Sequence, residues 1–157
     1  MAADYQTLFG GLAKEFDVTL VAGSIALPDP RIDNGKLIPG SGPLYNSSVV
    51  FGHDGVPLGK PQRQLLPTYE EQSYIQPSPD TQLSVIDTPA GRLGILVGSD
   101  SWYPENYRAL NEQQVQLIAV PAFILGKDAW DKPWGGYKSV STPSEISLKP
   151  GEVSEGA

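Results

Sequence analysis

The stretch GRLGILVGSDSWYPENYRAL, residues 91–110, runs from a strand-like segment through a tight turn into the start of a helix. Many enzymes hold a nucleophile at such a turn. Here the turn offers Gly98, Ser99 and Asp100. Glycine has no side chain to react. A serine hydroxyl becomes a nucleophile only beside a base, and neighbouring turn residues point in different directions, so Ser99 is not expected to stand in for a group at 98. Asp100 is expected to accept hydrogen bonds from backbone amides of the turn, as aspartate does locally. Other chemistry-bearing residues are sparse. The chain has no cysteine, so disulfides, thiolate metal sites and thiol nucleophiles are excluded. Its single histidine, His53, lies in the turn sequence GHDG and reads as exposed.

The elements that must position this turn follow from hydrophobic periodicity. Residues 4–16 carry Tyr5, Leu8, Leu12 and Phe16 at helical spacing. VTLVAGSIAL (18–27) is β-branched and almost continuously apolar, which predicts a strand buried on both faces. Residues 28–43 read as a loop by composition. LYNSSVVFG and VPLGKPQRQL flank the HDG turn as a hairpin. PTYEEQSYIQPSPDT reads as another loop. QLSVIDT and GRLGILVG form a second hairpin around Pro89 and Ala90. Residues 104–114 predict a helix with Pro104 in its first turn and Glu105 near the positive end of its dipole. Strands are expected at 18–27, 46–52, 82–88, 92–98 and 116–121. Residues 124–157, rich in Ser, Pro, Glu and Gly, predict an irregular, partly disordered tail. Strands alternating with helices make this an α/β layered domain.

Composition sets outer bounds. Hydrophobic residues are 39% and charged residues 18% of 157, enough for one domain with a buried core. The net charge is −7 and no basic run occurs, so nucleic acid is not an expected partner. No segment reaches the roughly 18 apolar residues of a membrane span, and the amino terminus lacks the pattern of a signal peptide. A soluble, cytoplasmic protein with no membrane partner is the expectation.

In order along the chain, LYNSSVVFGHDGVPLGKPQRQLLPTYEE, IDTPAGRLGILVGSDSWYPENYRAL and QLIAVPAF resemble the nitrilase superfamily of carbon–nitrogen hydrolases. The shared features are a Tyr-Asn strand, a return strand through Gly-Lys, and a hairpin ending Gly-x-x-x-Cys-x-Asp. A Trp/Phe-x-Pro-Glu helix start and a strand ending in Pro complete the set. The resemblance covers residues 5–123. It implies an αββα sandwich, commonly paired into a dimer, whose cysteine attacks an amide or nitrile carbon. A glutamate acts as general base and a lysine stabilises the tetrahedral intermediate. No metal or organic cofactor is implied.

Carried onto this chain, the resemblance puts Gly98 on the nucleophile position and Arg63 on the lysine. Gln62 or Gln64 would take that place after a one-residue slip, with Lys60 a weaker candidate. The second glutamate falls on Glu71, with Glu70 as its rival. Ser99, Asp100 and Trp102 fall where the family lines its substrate pocket. The general-base glutamate has no equivalent, and Glu15 comes too late. Arginine for lysine is not conservative, since a planar fork replaces a compact ammonium. The first strand, and the elements that follow AVPAF in the family, are expected to be missing. The expectation is a partial sandwich over 1–123 with the tail 124–157 behind it. Catalysis is expected to be absent, leaving a degenerate hydrolase or a pseudoenzyme that binds an amide or nitrile at most, or pairs with an active relative. Unpaired central strands invite association with another chain, so a homo-oligomer is expected.

Overall fold

The computed structural model describes residues 1–122. The expectation for the tail at 124–157 lies outside the described residues.

Helix α1 (Ala2–Glu15) buries Ala2, Tyr5 and Ala13 and carries Asp4 in its first turn and Lys14 in its last, both favourable to the helix dipole. It ends at Asp17, whose φ of +52° turns the chain back. The apolar run that follows makes two short strands, β1 (Leu20–Val21) and β2 (Ile25–Pro28). Both pair antiparallel with the long strand β5 (Leu44–Phe51). Ala22 N–H also donates to the Val49 carbonyl, so the predicted single strand is interrupted only around Gly23 and Ser24.

The predicted loop at 28–43 contains a small hairpin, β3 (Arg31–Asp33) and β4 (Lys36–Ile38). Asn34 and Gly35 join its strands with φ values of +48° and +70°, as a primed two-residue turn requires. Gln6 of α1 clamps this turn, donating to the Gly35 carbonyl and accepting from Leu37 N–H.

Strand β6 (Pro57–Arg63) returns beside β5, with a register irregularity between Ser48 and Val50. Strands β7 (Val85–Thr88) and β8 (Gly91–Ile95) form the second expected hairpin. Helix α2 (Pro104–Glu112) then crosses to β9 (Leu117–Ala119), which pairs parallel to β8. The helices and most strands fall where the periodicity puts them. The exceptions are the β3–β4 hairpin and the 18–27 run, which is split in two with only Ala22 and Leu27 fully buried, because β1 and β2 are short strands paired along β5 alone.

Alternation along the strands shows how the layers stack. On β5, Val49 and Phe51 face α1 in a cluster with Tyr5, Ala13 and Leu27. Val50, between them, faces the other sheet and packs with Ile86, Leu93, Ile95 and Val97. On the far side, Leu96 joins Leu83 and Leu110 beneath α2. The order is helix, sheet, sheet, helix, the expected partial αββα sandwich. Gly94 allows the last layer to close, because a Cβ there would lie 2.7 Å from Leu110 Cδ2. Tyr5 anchors the first layer, its hydroxyl donating to the Gly23 carbonyl at 2.6 Å; burial pushes its pKa up to about 12.

Among the described residues, no helix is long and apolar enough to cross a membrane.

Candidate functional site at the turn after β8

Strand β8 delivers the chain to a short 3₁₀ segment, Gly98–Trp102, which leads through Tyr103 into α2. Gly98 opens the segment at φ +55°, in the left-handed region that costs an ordinary residue about 1 kcal/mol or more. Its N–H donates to the Pro121 carbonyl and its carbonyl accepts from Ser101 Oγ, so the turn is held from both sides.

Three segments converge on this turn. From the end of β6 comes Gln64, fully buried, whose N–H extends the ladder to the Asn46 carbonyl. Its side-chain Nε2 donates to Ser99 Oγ at 2.9 Å and to Glu71 Oε2 at 3.1 Å, while Oε1 accepts from Asn46 Nδ2 at 3.0 Å. From the 3₁₀ segment Glu71–Ser73 comes Glu71. Its Oε2 also accepts from Thr68 N–H at 2.7 Å, and Thr68 Oγ1 accepts from Glu71 N–H at 3.3 Å, a reciprocal cap. From the turn itself comes Ser99, whose hydroxyl donates to the Leu66 carbonyl at 2.6 Å.

Asp100 lies beneath, fully buried. Its Oδ1 accepts from Leu65 N–H at 3.0 Å and Leu66 N–H at 2.8 Å. It therefore bonds amides of the β6 return, and the Val97 amide at the start of its own turn also favours its charged form. Burial pushes its carboxyl above the ordinary 3.8; the Leu65 and Leu66 amides pull the other way, and the Glu71 charge adds to the rise.

The predicted site residues divide cleanly. Glu71, Gly98, Ser99 and Asp100 come together; Arg63 and Trp102 do not. Successive residues of a strand face opposite ways, so Arg63 points away from Gln64. Its Nη2 bonds Asp29 Oδ1 at 2.8 Å and the Pro30 carbonyl at 2.9 Å, and the guanidinium lies 4.4 Å over the Tyr45 ring. The cation assigned to the site thus fastens the loop around Asp29, and the residue beside Gly98 is the neutral Gln64. Trp102 is 72% exposed. Lys60 reaches Asp80 at 3.2 Å, and Glu70 is exposed. Asn46 escaped the sequence reading as a site residue, although it belongs to the Tyr-Asn strand that supports the resemblance.

Chemically the cluster is committed to internal hydrogen bonds. Ser99 gives its proton to a carbonyl, not to a base. Among the described residues, the contacts around Gly98 contain no cation, and the chain has no thiol. Among the described residues there is no group of three or more His, Asp or Glu placed to hold a metal.

The carbon–nitrogen hydrolase family model matches residues 4–135. The chain belongs to the carbon–nitrogen hydrolase family. The omega-amidase of Homo sapiens is 32% identical over 131 residues, covering 76% of this chain and 43% of that protein. The N-carbamoylputrescine amidase of Solanum tuberosum is 31% identical over 83 residues, covering 51% of this chain and 27% of that one. A carbon–nitrogen hydrolase from Helicobacter pylori has the same fold at a TM-score of 0.65 and 29% identity, with coverage of 78% of this chain and 38% of that one. The chain thus spans less than half the length of these relatives. Within the family frame, this sequence lacks the catalytic cysteine, because it has no cysteine at all.

Proposed function

We propose that this carbon–nitrogen hydrolase relative does not cleave carbon–nitrogen bonds and that its turn after β8 has become structural. The observation that carries the reading is Gly98. It occupies the first position of the Gly-x-Asp turn, where the resemblance puts the nucleophile, with φ +55° and no side chain. Covalent catalysis needs an atom that attacks and a base that activates it. Ser99 is the hydroxyl next to Gly98 in sequence, and its proton is committed to the Leu66 carbonyl; that of Ser101 is committed to the Gly98 carbonyl. A developing oxyanion also needs a preorganised cation or donors. Arg63 is turned towards Asp29, and Gln64 has spent both N–H groups on Ser99 and Glu71.

The test is ammonia release from a panel of simple amides and nitriles. Rates should match buffer alone, because losing the nucleophile removes several powers of ten in rate. Release that depends on Ser99 would contradict the proposal.

A second reading, association with another chain, is favoured by one observation. Strand β9 leaves Leu117 and Ile118 more than two-fifths exposed, and Val120 follows them. A short apolar strand of this kind is a template for pairing.

A further inference from the structure

Gln64 carries a primary carboxamide, and that group sits against the position where a nucleophile would stand. A Cβ built at Gly98 would lie 3.1 Å from Gln64 Nε2, inside ordinary van der Waals contact. The side chain is fully buried. Its two N–H groups go to Ser99 Oγ and Glu71 Oε2, and its carbonyl takes the Asn46 amide. A glutamine amide has two donors and one carbonyl acceptor, so each is engaged. Such a network resists opening, since any buried group left unpaired is costly.

We infer that Gln64 is a built-in occupant of this turn. Its side-chain amide fills the space beside Gly98 and blocks amide ligands from it. The inference rests on the reading of 98 as the nucleophile position and deepens it: the pocket is occupied by the chain's own amide rather than vacant for a substrate. The geometry also ties Gly98 to Gln64, because a side chain at 98 and the amide in its present position compete for the same space. The ligand class follows from the donors. Glu71 and Ser99 accept two N–H bonds and Asn46 donates one, which matches a small neutral primary amide and not a carboxylate.

Gln64→Ala removes Cγ and the carboxamide, a group with the heavy atoms of acetamide. The variant should bind acetamide saturably and show a higher Tm in its presence. For four heavy atoms a Kd on the order of millimolar or weaker is expected. Acetone, of similar shape but without N–H donors, should give no shift. The wild type should show neither binding nor a Tm rise with acetamide. A folded Gln64→Ala that ignores acetamide, or a wild type that binds it equally well, would overturn the inference. If that variant does not fold, the wild type decides by NMR. The Gln64 side-chain NH2 protons should exchange with solvent at least tenfold more slowly than those of an exposed glutamine, and equal rates would refute the inference. Ammonia release by the wild type is read separately: release from nitriles alone would sink the silent-turn reading and leave this one, whereas Ser99-dependent release from amides would overturn both.

Discussion

At position 98 the backbone and the neighbouring side chain both exclude an ordinary residue. The left-handed φ of +55° strains any Cβ, and Gln64 Nε2 crowds it at 3.1 Å. Gly98→Cys should therefore lose about 1–3 kcal/mol in chemical denaturation. It should also stay inactive in ammonia release, because the Gln64 amide, not a lysine, faces the new thiol. Retention of full stability would show that the turn relaxes more easily than its contacts imply. Asp100 makes a second residue-scale prediction. Its carboxyl is raised above 3.8 in the folded chain, so between 3.8 and the folded value the native state binds more protons than the unfolded one. Stability contributed by this group is then full below 3.8 and falls as pH rises through the folded pKa. Subtracting the Asp100→Asn stability curve from that of the wild type should expose this downward trend. A difference that rises with pH over that range would contradict the burial argument. Asp100→Ala should cost about 2–4 kcal/mol at neutral pH, since the Leu65 and Leu66 amides lose their acceptor.

At the scale of elements, the second sheet and α2 depend on one close approach. Gly94→Ala would put a methyl 2.7 Å from Leu110 Cδ2, so it should cost about 1–3 kcal/mol in urea unfolding. Combined with Leu110→Ala, part of that loss should return. Additive losses would mean that β8 and α2 do not share this contact. Periodic and apolar runs made most elements legible: Tyr5 to Phe16 for α1, the apolar run 18–27 for β1 and β2, LYNSSVVF for β5, and Pro104 for the start of α2. The β3–β4 hairpin was not legible, because each strand has only three residues and lies in a Pro- and Gly-rich stretch. Its Asn34-Gly35 turn was the available signal. The site was legible up to residue choice. Motif order picked out Glu71, Gly98, Ser99 and Asp100, which the fold brings together, whereas Arg63 reaches Asp29 and its neighbour Gln64 lies beside Gly98. Alternation decides which of Arg63 and Gln64 faces Gly98, and a motif without a fixed register cannot supply it. The exposure of Trp102 was not legible for a related reason, since proximity in sequence to the turn says nothing about which side of the 3₁₀ segment it occupies.

At the scale of the whole molecule, the sandwich holds together around an altered turn. The layers from α1 to α2 follow the fold of its relatives, while the turn after β8 is held in a hydrogen-bond network of Gln64, Ser99, Asn46 and Glu71. The exposed apolar residues of β9 are the counterpart on the outside. We expect size-exclusion chromatography of the chain to show a dimer or larger species, and replacing Ile118 with Lys to shift it towards monomer. A monomer at all concentrations would remove the association reading. The central claim, that no residue of this chain attacks an amide or nitrile carbon, is tested most directly by intact-protein mass spectrometry after prolonged incubation with simple amides and nitriles. The account predicts an unchanged mass throughout the panel. A stable acyl or imidate adduct, mapped to Ser99 and lost in Ser99→Ala, would contradict it.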